Sequence, residues 1–166
     1  MPDIDAMLGS HPLLNLEQTF IQLDFEYIGQ LLAAFIPMGL TVFFHGLGMD
    51  VVRRFFKRYG KPLLQQPHAA GRATVMSSIV AIMLAAHFSG IVIWAAFYFA
   101  AGLLPGIKTA MLFSVDSYTT LGSNTIALTG RWTGFDGFEA MTGMLMFGWS
   151  TAILAAVVQK LHSIDD

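Results

Sequence analysis

From Thr74 to Leu104 the chain carries no Lys, Arg, Asp or Glu. Few settings admit such a run, because a helix that is apolar on every side must be buried on every side. A bilayer core about 30 Å thick is crossed by about 20 residues rising 1.5 Å each. The run is therefore long enough to span with tilt or with one end outside the hydrocarbon. Composition points the same way, with 12% charged residues, 55% hydrophobic residues and a mean hydropathy of +0.61; soluble domains carry roughly 25% charge.

Two further stretches are long enough to span. Residues 30–52 do so although Pro37, His45 and the glycines at 39, 46 and 48 predict an imperfect helix. Residues 138–158 form the third span, closed by Lys160 and His162. A fourth apolar stretch, Ile107 to about Thr119, reaches only roughly 20 Å as a helix, the length of a segment that enters a membrane and turns back. The fold class expected is an all-α integral membrane protein with three transmembrane helices, a re-entrant helix and a loop.

Six of the nine basic residues, Arg53, Arg54, Lys57, Arg58, Lys61 and Arg72, lie between the first and second spans. The positive-inside rule places that loop in the cytoplasm, with the N-terminus and residues 104–137 outside and the C-terminus inside. Lys108 and Arg131 in the outer loop do not outweigh it. Ahead of the first span, Leu13, Leu16, Phe20, Leu23 and Tyr27 recur at helical spacing, which predicts an amphipathic helix lying on the outer leaflet, capping a pore mouth or leading into the bundle. The acidic start, Met1-Pro-Asp-Ile-Asp-Ala, lacks the order of a secretory signal and is expected to belong to the mature chain. Without cysteine there is neither disulfide nor thiolate metal site.

After the short fourth stretch comes Tyr118-Thr119-Thr120-Leu121-Gly122-Ser123-Asn124-Thr125. Irregular backbone at membrane depth is tolerated only inside protein or beside a wet cavity. Carbonyl and hydroxyl oxygens in this segment replace a cation's hydration shell well, and the C-terminal end of the short helix adds partial negative charge.

Residues 74–162 resemble the outer-helix, pore-helix, filter and inner-helix unit of the two-transmembrane potassium channel superfamily. They are similar to small bacterial ion-channel proteins with an added N-terminal span. The resemblance rests on Ile93-Trp94-Ala95-Ala96-Phe97-Tyr98, on Met111 through Gly122, and on Glu139 through Ala152 with its glycines. It implies an outer helix at 74–104, a pore helix at 107–119, a filter at 120–125 and an inner helix at 138–162. The 30–56 span is then peripheral, 57–73 a basic cytoplasmic loop and 1–29 an extracytoplasmic segment. It also implies a homotetramer in the bacterial inner membrane, since four loops close one filter.

The family filter continues Thr-Leu-Gly-Tyr-Gly-Asp, whereas this chain has Thr120-Leu121-Gly122-Ser123-Asn124-Thr125. The inner half is kept and the outer half is not, which implies weak discrimination between K+ and Na+. Thr120, Leu121, Gly122, Ser123 and Asn124 are the candidate ion-binding residues, with Thr119 and Asp116 behind them. Gly143 and Gly148 in the inner helix are candidate hinges or packing positions. No cofactor is expected beyond the permeant cations, and the partners implied are the lipid bilayer and further copies of the chain, not nucleic acid.

Asp136-Gly-Phe-Glu139 reads as a capping box or, less simply, as a cation-attracting ring at the outer mouth. His45 and His87 read as interhelical hydrogen-bonding residues or proton sensors, too far apart in sequence to argue a metal site. Trp94, Trp132 and Phe97 to Phe99 suit an outer interfacial belt. A non-conducting scaffold or regulatory subunit is the competing class. No nucleotide loop, zinc motif or nucleophile motif favours an enzyme, and paired repeats of the transporter kind are absent.

Overall fold

A computed structural model of the chain describes residues 25–60, 69–122 and 126–162. The N-terminal amphipathic segment and the filter positions Ser123 and Asn124 lie outside them. Among the described residues the chain is helical throughout, without strand: α1 (Phe25–Phe55), a π-helical turn (Phe56–Gly60), α2 (Ala69–Ala100), α3 (Ile107–Tyr118), a 3-10 turn (Gly130–Trp132) and α4 (Asp136–His162). Three spans, Ile28–Gly60, Ala70–Ala100 and Gly130–Lys160, are long and apolar enough to cross a membrane.

The first span is less broken than its sequence predicts. α1 runs through Pro37 without interruption, as membrane helices do when neighbouring groups absorb the missing N–H. Gly48 instead sets how close α1 and α2 come. A β-carbon on Gly48 would stand 2.6 Å from the Ala86 β-carbon of α2, so the two backbones meet across small residues. α2 begins at Ala69 rather than at the first residue of the uncharged run, because an Ala-rich turn continues a helix beyond the hydrocarbon at little cost.

Its far end is a Schellman turn. Leu103 N–H donates to the Tyr98 carbonyl at 3.0 Å and Gly102 N–H to Phe99 at 3.1 Å, with Gly102 at φ 67°. Leu103 packs against the cluster that holds Tyr98, and Pro105 follows two residues later, the usual company of this cap.

Two apolar clusters fill the bundle. One joins Met49, Val52 and Phe56 to Val75, Ile79, Met83, Ala86 and Val157. The other gathers Trp94, Ala95 and Tyr98 with Leu104, Ala110, Phe113, Leu128, Phe135 and Met146. Trp94 and Tyr98 are fully buried. The Trp94 ring lies 5.9 Å from Tyr98 and 6.1 Å from Phe135, centroid to centroid. Trp94 therefore belongs to the interior and not to a lipid-facing belt, whereas Phe99 on the neighbouring face is exposed. Helical spacing separates the two: residues four apart share a face, and residue 99 falls off it.

Candidate functional site

α3 is about 18 Å long at 1.5 Å per residue and ends inside the bundle, not at its surface. Its last residue, Tyr118, is fully buried. The Tyr118 hydroxyl lies 3.2 Å from Nδ1 of His87, near the middle of α2. Two glycines make room for it. A β-carbon on Gly90 would stand 2.9 Å from Thr41 Cγ2 and 3.1 Å from Tyr118 Cε2. One on Gly143 of α4 would overlap the Tyr118 carbonyl oxygen. Gly143 is thus required by packing, while Gly148 has nothing within 4 Å of such a carbon, and α4 runs as one helix through both.

Beyond Tyr118 the chain turns back on α3. Thr119 N–H donates to the Val115 carbonyl at 3.1 Å, Thr120 N–H to Ser117 at 3.0 Å, and Gly122 N–H to Asp116 at 3.1 Å. Thr119 Oγ1 donates to the Val115 carbonyl at 2.7 Å. Asp116, itself half-buried, braces the loop through its main chain. Thr120 has φ 60° and Gly122 φ 76°, so left-handed residues flank Leu121. For a β-branched residue such a φ is an outlier that surrounding structure must hold. Thr119, Thr120, Leu121 and Gly122 are all exposed, Leu121 at 77%. With three amides spent on α3, the segment presents mainly oxygen acceptors.

The helix behind this loop is fixed from the side by Glu139. Its carboxyl is buried and hydrogen-bonded to Ser114 Oγ of α3, and the same hydroxyl lies 2.9 Å from the Ile91 carbonyl of α2. The Tyr98 hydroxyl faces that carboxyl without completing a hydrogen bond. The capping-box expectation for Asp136 and Glu139 is therefore corrected, as is the cation-attracting ring for Glu139. α4 begins at Asp136, and Glu139 turns inward to tie α4 to α3 and α2.

At the depth of Tyr118 a second polar group joins all four helices. Ser150 Oγ of α4 is 3.0 Å from His45 Nε2 of α1 and 3.0 Å from His87 Nε2 of α2. The two imidazole centroids are 4.7 Å apart, and Phe147 stacks on His87 at 4.3 Å. A hydroxyl carries one proton and two lone pairs, so Ser150 gives its proton to at most one of the two imidazoles and accepts from the other. In one order Tyr118 donates to His87, His87 to Ser150 and Ser150 to His45, and in a second every donor reverses. Both imidazoles can also donate to Ser150, whose own proton then points at the Met49 sulfur, 4.0 Å away.

Comparison of the chain with protein-family models, curated proteins and solved structures finds no match.

Of the residues singled out in the sequence, Thr119, Thr120, Leu121, Gly122 and Asp116 fall together at the end of α3, and Gly143 packs against Tyr118 beside them. Gly148 stands apart. Tyr118, Ser114, Glu139 and Ser150 gain their importance from contacts with partners at least 23 residues away along the chain. The signal available in sequence was their polarity inside apolar helices.

Proposed function

We propose that the chain is one subunit of a homotetrameric cation channel of the potassium-channel-like kind, weakly selective between K+ and Na+. The observation that carries this reading is the half-length helix α3 ending at buried Tyr118, followed by the exposed turn Thr119–Gly122 with its amides engaged and left-handed backbone at Thr120 and Gly122. In this reading α3 is a re-entrant pore helix, and the turn is the inner half of a filter.

One loop contributes one set of oxygens, and a cation stripped of water needs a ring of them. Cyclic symmetry supplies the ring. The apolar side chains of Leu112, Val115, Leu121, Met141, Met144 and Leu145 are exposed on α3, the turn and α4, as surfaces that further copies would cover. α4 is then the pore-lining helix and α1 peripheral. The basic ends of α1 and α2 face the cytoplasm of a bacterial inner membrane, under the positive-inside rule.

The test is flux through purified protein in liposomes under K+, Na+ and Ca2+ gradients, beside a variant carrying Thr120→Trp, Leu121→Trp and Gly122→Trp. Flux of both monovalent cations, lost in the variant, is the expected result. K+ flux alone refutes weak selectivity. Silence from an intact tetramer refutes conduction and leaves the non-conducting class.

A further inference from the structure

At the end of the bundle where α1 and α4 finish, a groove of about 400 Å³ opens between the two helices. Its rim carries Arg53 from the last turn of α1, Lys57 from the π-helical turn and Lys160 from the last turns of α4. Its walls are Phe56, Ile153 and Val157. No acidic side chain lines it among the described residues, and Asp50 of the same helix end is engaged by Arg54.

Helix macrodipoles favour cations at C-terminal ends, and cytoplasmic loops collect them. Those rules account for basic residues being present there. They do not account for three of them converging on an apolar-walled groove. The C-terminal helix ends also repel an anion, so the side chains alone must hold one.

Along α4 the lining runs from Ile153 through Val157 to Lys160, about 10 Å of helix at 1.5 Å per residue. The apolar part lies deeper in the span and the charge at its end. That is the order of an acyl chain and a phosphate in a bilayer, and it sets a membrane lipid apart from a free phosphate ion, which needs no apolar walls.

We propose that this groove is a binding site for an anionic phospholipid, its phosphodiester held by Arg53, Lys57 and Lys160 and its acyl chain lying on Phe56, Ile153 and Val157. Basic pockets between membrane helices at the cytoplasmic face take such headgroups. The proposal rests on the membrane orientation proposed above and not on ion conduction.

Native mass spectrometry of the detergent-purified protein, titrated with dioleoyl-phosphatidylglycerol or dioleoyl-phosphatidylcholine, tests it. The wild type should retain the anionic phosphatidylglycerol in preference. R53Q/K57Q/K160Q should weaken that binding by about a hundredfold, at about 1 kcal/mol per basic side chain, and leave phosphatidylcholine unchanged. The charge-matched R54Q/R58Q/R72Q should stay within about threefold of wild type, since none of the three side chains lines the groove. Ala156→Trp fills the groove while keeping its charges, and should lose the lipid even if the triple variant does not fold.

Equal retention of the two lipids would overturn the proposal, as would equal losses in the two triple variants. Displacement of the lipid by inorganic phosphate would assign the charges to an ion alone. A change in oligomer mass with lipid preference intact would assign the groove to a second copy of the chain.

Discussion

The carbonyl oxygen of Tyr118 occupies the space that any side chain at Gly143 would need. The end of α3 is thus set on α4 by contact of main chain against main chain, with no side chain between them to give way.

Gly143→Ala should therefore destabilise the protein, because its β-carbon meets backbone rather than a flexible side chain. Overpacking of this kind costs about 1–3 kcal/mol. Gly148→Ala, with open space around it, should leave the unfolding midpoint of the detergent-purified protein unchanged or slightly raised. Equal behaviour of the two variants in a thermal melt would contradict the packing role.

Ser150→Ala removes the hydroxyl that bridges His45 and His87. Two buried ring nitrogens lose their partner at once, at about 1–3 kcal/mol for each group left unsatisfied. A double-mutant cycle with His87→Ala should give a coupling of about 0.5–3 kcal/mol. Strict additivity would mean the chain of hydrogen bonds is not formed.

Glu139→Gln keeps an oxygen acceptor for the Ser114 hydroxyl and introduces an amide donor, and should hold α3 in place with a loss of under about 1.5 kcal/mol. Glu139→Ala should cost more, because it leaves Ser114 beside a cavity. The order of the two unfolding midpoints reads this directly. If the alanine variant is the more stable of the pair, the inward tie has no holding role.

Thr120 keeps a left-handed backbone that a β-branched residue adopts rarely. Thr120→Gly should relieve about 1 kcal/mol of strain, against the entropy a glycine loses on folding. A midpoint unchanged or raised is expected and, under the proposed channel reading, an altered K+ to Na+ flux ratio. A lowered midpoint would place the Thr120 side chain, and not its backbone, in the leading role.

The chain has no cysteine, so single cysteines report orientation without background. Arg131→Cys should react with an impermeant maleimide from the outside of intact spheroplasts, and Lys57→Cys only after permeabilisation. The reverse pattern would invert the orientation read from the basic loop.

The spans were legible because an uncharged run such as 74–104 constrains the solvent before it constrains anything else. The short helix was legible from its length. Pro37 misled, since its local cost is absorbed by neighbours in a bundle that a sequence does not display. Glu139 misled for a related reason: the capping rule looks three residues back, while its partner is Ser114 on another helix. His45 and Ser150 are separated by 105 positions, and nothing periodic links them. In sequence Gly143 reads as a hinge or as a packing position, and the Tyr118 carbonyl beside it supplies the packing reason, a distinction that depends on what stands opposite.

Ser150 is the sole α4 member of a hydrogen-bonded chain whose other members lie on α1, α2 and α3. Loss of that one hydroxyl therefore removes the polar link from α4 to α1 and the link from α4 to α2 together.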